Sequence, residues 1–203
     1  MSDLATLFLH AAFVENMPLT FFLGLCTFIA LSRRPASAVG LGVAMIAVLG
    51  VTVPLNHLIY AALLAPGALS WAGMPALDLS YLSLIAFIGV IAAVVQLLEM
   101  VLDRFFPAIY TAFGVFLPLL TVQCAILGGS LFMVERRYDL AESAVFGLGA
   151  GTGFAVAVIM LGAIRARLAY ADLPDGLRGL GITFVIAGMM SLGFSAFAQM
   201  VAS

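Results

Sequence analysis

Long apolar runs dominate the chain, and polar residues gather in the short segments between them. A bilayer core of about 30 Å needs about 20 helical residues at a rise of about 1.5 Å per residue, so runs of this length predict membrane-spanning helices. The pattern therefore predicts an all-α integral membrane protein with six transmembrane helices. These cover approximately residues 4–31, 38–64, 80–103, 107–133, 141–164 and 179–201.

The first and fourth apolar segments are longer than a single straight span requires, and both contain helix-breaking residues. Pro18 and Gly24 lie in the first segment, and Pro118, Gly128 and Gly129 lie in the fourth. Proline removes a backbone donor and clashes with the preceding turn, and glycine weakens a helix interior. We therefore expect the first and fourth helices to be broken.

Composition supports the membrane interpretation and excludes several other classes of protein. The chain has 203 residues, of which 65% are hydrophobic and 9% are charged, with a mean hydropathy of +1.23. Soluble domains carry roughly 25% charged residues. The net charge of −2, without a basic patch, gives no basis for nucleic-acid binding. The start MSDLATLFLH lacks a positive n-region, which favours a retained first helix over a removed signal peptide.

The distribution of arginine predicts the orientation in the membrane, because basic residues collect in cytoplasmic loops. Loop 4–5 holds Arg136 and Arg137, and loop 2–3 holds no basic residue. The imbalance predicts that both termini face away from the cytoplasm. Loops 1–2, 3–4 and 5–6 hold the other basic residues, Arg33, Arg34, Arg104, Arg165, Arg167 and Arg178.

An internal repeat organises the chain. The stretch SAVGLG at 37–42 recurs as SAVFGLG at 143–149, and the two cysteines, Cys26 and Cys124, lie on the helices just before these stretches. We expect one membrane domain made of repeat 1, about 1–104, and repeat 2, about 105–203. Each repeat holds three helices, an odd number, so the halves should cross the membrane in opposite directions. In inverted-repeat proteins, broken helices at equivalent positions meet at a site near the midplane.

The two cysteines are the candidate chemistry, and four interpretations compete. Buried cysteine often acts as a small hydrophobic residue, so both thiols could simply be packing. A disulfide would add little to a packed bundle. Structural zinc takes four protein ligands, and His10 and His57 lie near helix ends, poorly placed to complete a set. Iron–sulfur clusters take four thiolates. We interpret the cysteines as facing each other near the midplane and holding half of such a cluster, with a second chain supplying the rest.

At these residues the sequence resembles the family of membrane subunits that includes the E-type component of the Na⁺-translocating NADH:quinone oxidoreductase and, more distantly, the A-type component of the Rnf complex. The resemblance covers essentially the whole chain. Glu15, Asn16, Met17 and Thr27 favour the first branch. The stretches that carry it are FVENMPLTFFLGLCTF, FIGVIAAVVQLLEMVLDRFFP, FGVFLPLLTVQCAILGG, ESAVFGLGAG and LPDGLRGLGITFVIAG.

The resemblance implies that Cys26 and Cys124 supply two ligands of a 2Fe–2S cluster within the membrane. The other two ligands would come from the homologous D-type component, inserted the opposite way up. It also implies a complex with the A-, B-, C- and F-type components in the bacterial inner membrane, with Na⁺ as the transported ion. NAD, flavins and quinone would bind to those partners, and this chain shows no Gly-rich dinucleotide fingerprint on a strand–helix unit.

Carboxylates within the apolar segments are candidates for an ion route. Gln96, Glu99 and Asp103 follow i, i+3, i+7 spacing and so share one helix face. An ionisable residue inside a membrane costs at least about 2.5 kcal/mol on insertion scales, which marks Glu99 as a functional candidate. Pairing of Glu99 with Arg104 is the structural alternative. Glu15, with its neighbour Asn16, is a weaker candidate near the outer end of the first helix.

These observations together predict a membrane component of a redox-driven sodium pump that relays electrons across the bilayer and contains no complete active site of its own. The A-type component of the Rnf complex is one alternative, and it differs in complex rather than in chemistry. A non-redox ion carrier with structural cysteines, in which Glu99 is the ion site, is the alternative from another class.

Overall fold

A computed structural model of the chain describes residues 2–32, 35–64, 82–105, 117–168, 170 and 179–202. Every regular element within these ranges is a helix, which confirms the predicted all-α class. The elements are α1 (Ser2–Leu9), a π-helical segment (His10–Val14), α2 (Met17–Thr20), α3 (Leu25–Leu31), α4 (Pro35–Ile59), a second π-helical segment (Tyr60–Leu64), α5 (Ser83–Phe105), α6 (Leu117–Thr121), α7 (Cys124–Glu135), α8 (Leu140–Leu168) and α9 (Leu180–Ala202).

The lengths of the apolar helices agree with several membrane crossings. Three helices of the described ranges are long and apolar enough to span a bilayer, and they match the second, third and fifth predicted segments: Ser37–Ala62, Ser83–Val101 and Leu140–Leu168. Shorter apolar helices fall in the first, fourth and sixth predicted segments: Leu4–Val14, Leu119–Glu135 and Leu180–Ala196. Six full crossings and the inverted repeat therefore stay predictions.

The first apolar segment is interrupted twice. The π-helical segment ends before Glu15, and the chain resumes as α2 with Pro18 near its start, where a missing backbone donor costs little. The second interruption, after α2, ends at Gly24, whose φ of +82° suits glycine. The prediction of a broken first helix is borne out in this part of the chain.

The fourth segment is also interrupted, but the break does not lie at Gly128 and Gly129. The chain breaks between α6 and α7, just before Cys124. Gly128 and Gly129 lie inside α7 and do not break it. Glycine in membrane helices often serves close packing instead, and a Cβ atom at Gly129 would lie 3.2 Å from Leu49 Cδ2. Residues 107–116 of the predicted segment, and Trp71 of the loop 2–3, lie outside the described residues.

Helix ends extend slightly beyond their predicted bounds. Arg104 lies in the last turn of α5, and Arg165 and Arg167 lie in the last turn of α8, where loops were predicted. A positive charge in the last turn interacts favourably with the partial negative charge at a helix C-terminus, so these arginines prolong the helices. Arg33, Arg34 and Arg178 lie outside the described residues.

The chain divides into two compact units whose boundaries fall inside α4 and α8. One unit comprises Met1–Ala47 and Leu148–Ser203, and the other comprises Val48–Gly147. We call them the terminal unit and the central unit. Each contains residues from both predicted repeats, so compactness does not follow the repeat boundary.

The terminal unit is closed by aromatic packing and by small residues. The buried rings of Phe28 and Phe154 meet edge to face, with centroids 6.3 Å apart. Gly153 of α8 lies so close to the π-helical segment that a Cβ atom there would be 3.0 Å from Ala12 Cα. Without a strong hydrophobic drive in lipid, membrane helices associate through such close backbone packing.

The central unit is also held together by close glycine contacts and by aromatic packing. A Cβ atom at Gly147 would lie 2.6 Å from the Leu49 carbonyl oxygen, so the N-terminal part of α8 contacts the backbone of α4 directly. Ring pairs add to this packing, with Tyr60 next to Phe87 and Tyr138 next to Phe146.

Candidate functional site: the cysteine-bearing helix starts

The two cysteines occupy similar local positions, each in the first turn of a helix that begins after an interruption. Cys26 is the second residue of α3, and Cys124 is the first residue of α7. Both are free thiols and both are exposed. They belong to different compact units, and each is therefore described on its own.

The start of α3 is held by the left-handed Gly24. The Gly24 carbonyl accepts hydrogen bonds from the Phe28 backbone N–H at 3.1 Å and from the Thr27 hydroxyl at 3.0 Å. Thr27 and Phe28 are fully buried, whereas Cys26 directly before them is exposed. The turn therefore anchors two side chains in the terminal unit and leaves the thiol on its surface.

Arg165 holds the other end of α3. It lies 136 residues from its partner Ile29 in the sequence. Arg165 Nη1 donates hydrogen bonds to the Ile29 carbonyl oxygen at 2.9 Å and to the Ser32 hydroxyl at 2.8 Å. The last carbonyls of a helix have no partner within the helix. A cationic donor there satisfies them and interacts favourably with the negative end of the helix dipole. The short helix that carries Cys26 is thus fixed at both ends.

The start of α7 is held by Gln123. Its backbone carbonyl accepts from Ile126 N–H at 3.2 Å, and its own N–H donates to the Leu120 carbonyl at 3.2 Å. The Gln123 side chain is 1% exposed, and neither of its amide atoms has a partner among the described residues. Gln123 and Ala125 are buried on either side of the exposed Cys124.

The available donors fit half of an iron–sulfur ligand set. The described residues contain no group of three or more His, Cys, Asp or Glu side chains that could hold a metal alone. The chain has two cysteines, and both thiols are free and lie exposed on the surface of the chain. Since such a cluster takes four thiolates, a cluster held by Cys26 and Cys124 would need two more from another chain.

Three of the candidate ion-route residues lie on α5, and the fourth lies just after the first π-helical segment. Gln96, Glu99 and Asp103 all lie on α5, with Glu99 half-buried and the other two exposed. Glu15 lies just after the first π-helical segment, with its carboxylate Oε1 3.7 Å from His10 Nδ1. The structure thus confirms that Gln96, Glu99 and Asp103 lie on one helix, and it places His10 next to Glu15.

Three structural contacts were not foreseen from the sequence. Asn16 Nδ2 donates to the carbonyl oxygens of Gly153 at 2.8 Å and Ala12 at 3.1 Å, which fixes the first helix break against α8. Asn56 donates to the Ser130 hydroxyl at 2.7 Å. The Arg165 contact is the third. The sequence showed each of these polar residues in or next to an apolar run, but it did not show which distant group each one would bond.

Comparison with known proteins identifies the family. A family model described as "Rnf-Nqr subunit, membrane protein" matches residues 4–201. Relatives that carry the name of the E component of Na(+)-translocating NADH-quinone reductase are similar over nearly the whole chain. That of Ectopseudomonas mendocina is 61% identical, covering 97% of this chain and 98% of the relative, and that of Hahella chejuensis is 63% identical, covering 95% of each.

A third relative of the same name, from Idiomarina loihiensis, is 59% identical over 97% of this chain and 98% of its own length. These names confirm the resemblance found from the five sequence stretches, including its assignment to a multisubunit oxidoreductase. With a matching family model over almost every residue, the chain belongs to the Rnf-Nqr family of membrane subunits.

Proposed function

We propose that this chain serves as the E-type membrane component of a sodium-translocating NADH:quinone oxidoreductase, in which Cys26 and Cys124 hold half of a 2Fe–2S cluster. The observation that carries the proposal is the matched setting of the cysteines. Each is a free, exposed thiol in the first turn of a helix that follows an interruption of an apolar segment.

The chemistry of the donors supports this assignment. Thiolates are soft ligands that select iron–sulfur clusters over hard cations. The first turn of a helix carries partial positive charge on unpaired N–H groups, which suits an anionic sulfur ligand at the start of α7. Exposure of both thiols leaves room for ligands from a second chain. We infer that the D-type component, oriented oppositely in the membrane, supplies them.

Residues around the cysteines have positioning roles in this proposal. Gly24 and Arg165 hold the two ends of α3, and Gln123 holds the start of α7. When bound, a 2Fe–2S cluster accepts and releases one electron, which would let the chain relay electrons between partners on the two sides of the bilayer. NADH, flavins and quinone would be handled by the A-, B-, C- and F-type components.

The same proposal includes an ion route and an orientation. Glu99, flanked by Gln96 and Asp103 on α5, would attract Na⁺, and Glu15 would do so at the first helix break. The protein would reside in the bacterial inner membrane as six spans in two inverted repeats, with both termini in the periplasm. Support comes from the arginine distribution and from the relatives' names.

The test is iron quantitation and electron paramagnetic resonance on the assembled complex carrying Cys26→Ala or Cys124→Ala. Each variant alone should remove the iron signal of this site and stop electron flow to quinone, because three thiolates leave one iron open. Oxidation of NADH by the partner proteins should continue. Full iron and normal quinone reduction in both variants would show that the cysteines are packing, and the non-redox carrier would then be favoured.

A further inference from the structure

A group of polar side chains lies completely buried within the central unit. Thr52 and Asn56 on α4, Ser130 on α7 and Ser143 on α8 each have no exposed surface. We call them the oxygen cluster. Burying a polar group without a hydrogen bond costs several kcal/mol in an apolar environment, so native structures pair such groups or give them another ligand.

Hydrogen bonds account for only part of the oxygen cluster. Asn56 Nδ2 donates to Ser130 Oγ at 2.7 Å, and Ser130 Oγ donates to the Ile126 carbonyl oxygen at 3.2 Å. Among the described residues, three oxygens remain without a partner: Asn56 Oδ1, Thr52 Oγ1 and Ser143 Oγ. The side-chain nitrogen of Asn56 donates to Ser130, and the side-chain oxygen Oδ1, which can only accept, is still available for a ligand.

The packing of glycines brings α7 and α8 to the same part of α4. Gly129, next to Ser130, would place a Cβ atom 3.2 Å from Leu49 Cδ2, and Gly147 would place one 3.2 Å from Val53 Cβ. Ser143 lies one helical turn before Gly147. On α4, Thr52 and Asn56 are four residues apart, so they lie on one face with Cβ atoms about 5–6 Å apart.

We propose that the oxygen cluster binds a small, partly dehydrated monovalent cation such as Na⁺. An amide carbonyl and two hydroxyl oxygens are hard, neutral ligands, the type that replaces the hydration shell of alkali ions in membrane proteins. The cation would satisfy the three unpaired oxygens at once. The site uses none of the acidic residues of α5, and its physiological meaning rests on the proposed membership in a sodium-translocating complex.

A cleft in the same unit is lined by residues that are close in sequence to the oxygen cluster. The cleft has a volume of about 480 Å³. His57, which follows Asn56, and Met133, three positions after Ser130, are among its lining residues. Arg137 at this cleft is exposed, so solvent screens its charge. The lining residues are His57, Tyr60, Ala61, Met133, Val134, Arg137 and Tyr138.

The test uses isosteric variants that remove an unpaired oxygen without breaking a hydrogen bond seen in the structure. Thr52→Val and Ser143→Ala, singly and together, are introduced into the complete complex. Equilibrium binding of ²²Na⁺ and the Na⁺ concentration for half-maximal turnover are measured. Each single variant should weaken one class of Na⁺ sites about three- to tenfold, the usual size of one lost polar contact, and the double variant should weaken it further.

The matched control is Thr183→Val. Thr183 is equally buried, but its hydroxyl donates to the Gly179 carbonyl at 2.9 Å, so this variant should leave Na⁺ binding unchanged. Unaltered Na⁺ binding in Thr52→Val and Ser143→Ala would overturn the proposal, most clearly if thermal stability rises because an unsatisfied oxygen has been removed. Equal weakening in the control would overturn it as well.

Iron content separates this inference from the proposed 2Fe–2S cluster. The Thr52 and Ser143 variants should retain full iron, since neither residue lies near a thiol in sequence. If the cysteine variants keep their iron while Thr52→Val weakens Na⁺ binding, the iron–sulfur proposal fails and the cation site stands. The reverse pattern removes the cation site alone.

Discussion

Arg165 and Ile29 are joined by a hydrogen bond of 2.9 Å from the guanidinium Nη1 to the backbone carbonyl oxygen. The bond ties the last turn of α8 to the last turn of α3, the short helix that presents Cys26. A helix of seven residues is too short to be stable alone in water, so its position depends on contacts of this kind. The arginine that indicated topology in the sequence is therefore also a structural residue.

Replacing Arg165 by alanine should loosen the Cys26-bearing helix. The variant loses hydrogen bonds to Ile29 and Ser32, and charge-assisted bonds contribute about 1.5–3 kcal/mol each before the partial exposure of Arg165 reduces the effect. We expect a lower melting temperature of the purified complex and reduced iron content. Arg167→Ala is the control, because Arg167 is exposed on the same helix end. Equal loss in both variants would show a general effect of charge.

Adding a methyl group at Gly153 should disrupt the first helix break. The new Cβ atom would collide with the backbone of Ala12, and overpacking of this kind costs typically about 1–3 kcal/mol. Gly153→Ala should therefore lower the melting temperature of the complex. Gly188→Ala, with nothing within 4 Å of its added Cβ atom, is the matched control and should keep wild-type stability. A stable Gly153→Ala protein would contradict the close approach.

Neutralising Glu99 should weaken ion-dependent turnover while the fold is kept. Glutamine preserves the shape of the side chain but attracts cations less strongly than a carboxylate. We expect Glu99→Gln to require several-fold more Na⁺ for half-maximal turnover, as measured by quinone reduction at increasing Na⁺. Gln96→Leu, on the same face of α5 but uncharged from the start, serves for comparison. Wild-type turnover and Na⁺ dependence in Glu99→Gln would leave Glu99 with a structural role only.

The arginine distribution predicts the orientation. Reporter fusions after Arg34 and Arg167 should show a cytoplasmic location, and fusions near Trp71 and Asp139 should show a periplasmic one. The predicted orientation of the six spans requires all four results together. A cytoplasmic signal near Trp71 would contradict both the orientation and the proposed position of the termini.

Local chemistry made much of the fold and part of the site predictable. Apolar length identified the helices, and Pro18 with Gly24 identified the breaks around α2, because each effect acts within a few residues. The fourth segment shows the limit of such reasoning. Glycine at 128 and 129 weakens a helix in isolation, yet both residues are helical in α7, where Gly129 packs against α4. Packing against a neighbour outweighed intrinsic propensity.

The sequence by itself determined the membrane class, the helical character and the placement of both cysteines beside helix breaks, since composition and spacing decide these locally. Only the tertiary structure decided which distant polar groups meet. Asn16 bonds Gly153, Asn56 bonds Ser130, and the partners lie 137 and 74 residues apart in sequence. Such pairs form because burial in an apolar interior leaves each donor no water to bind, and the fold alone selects the partner.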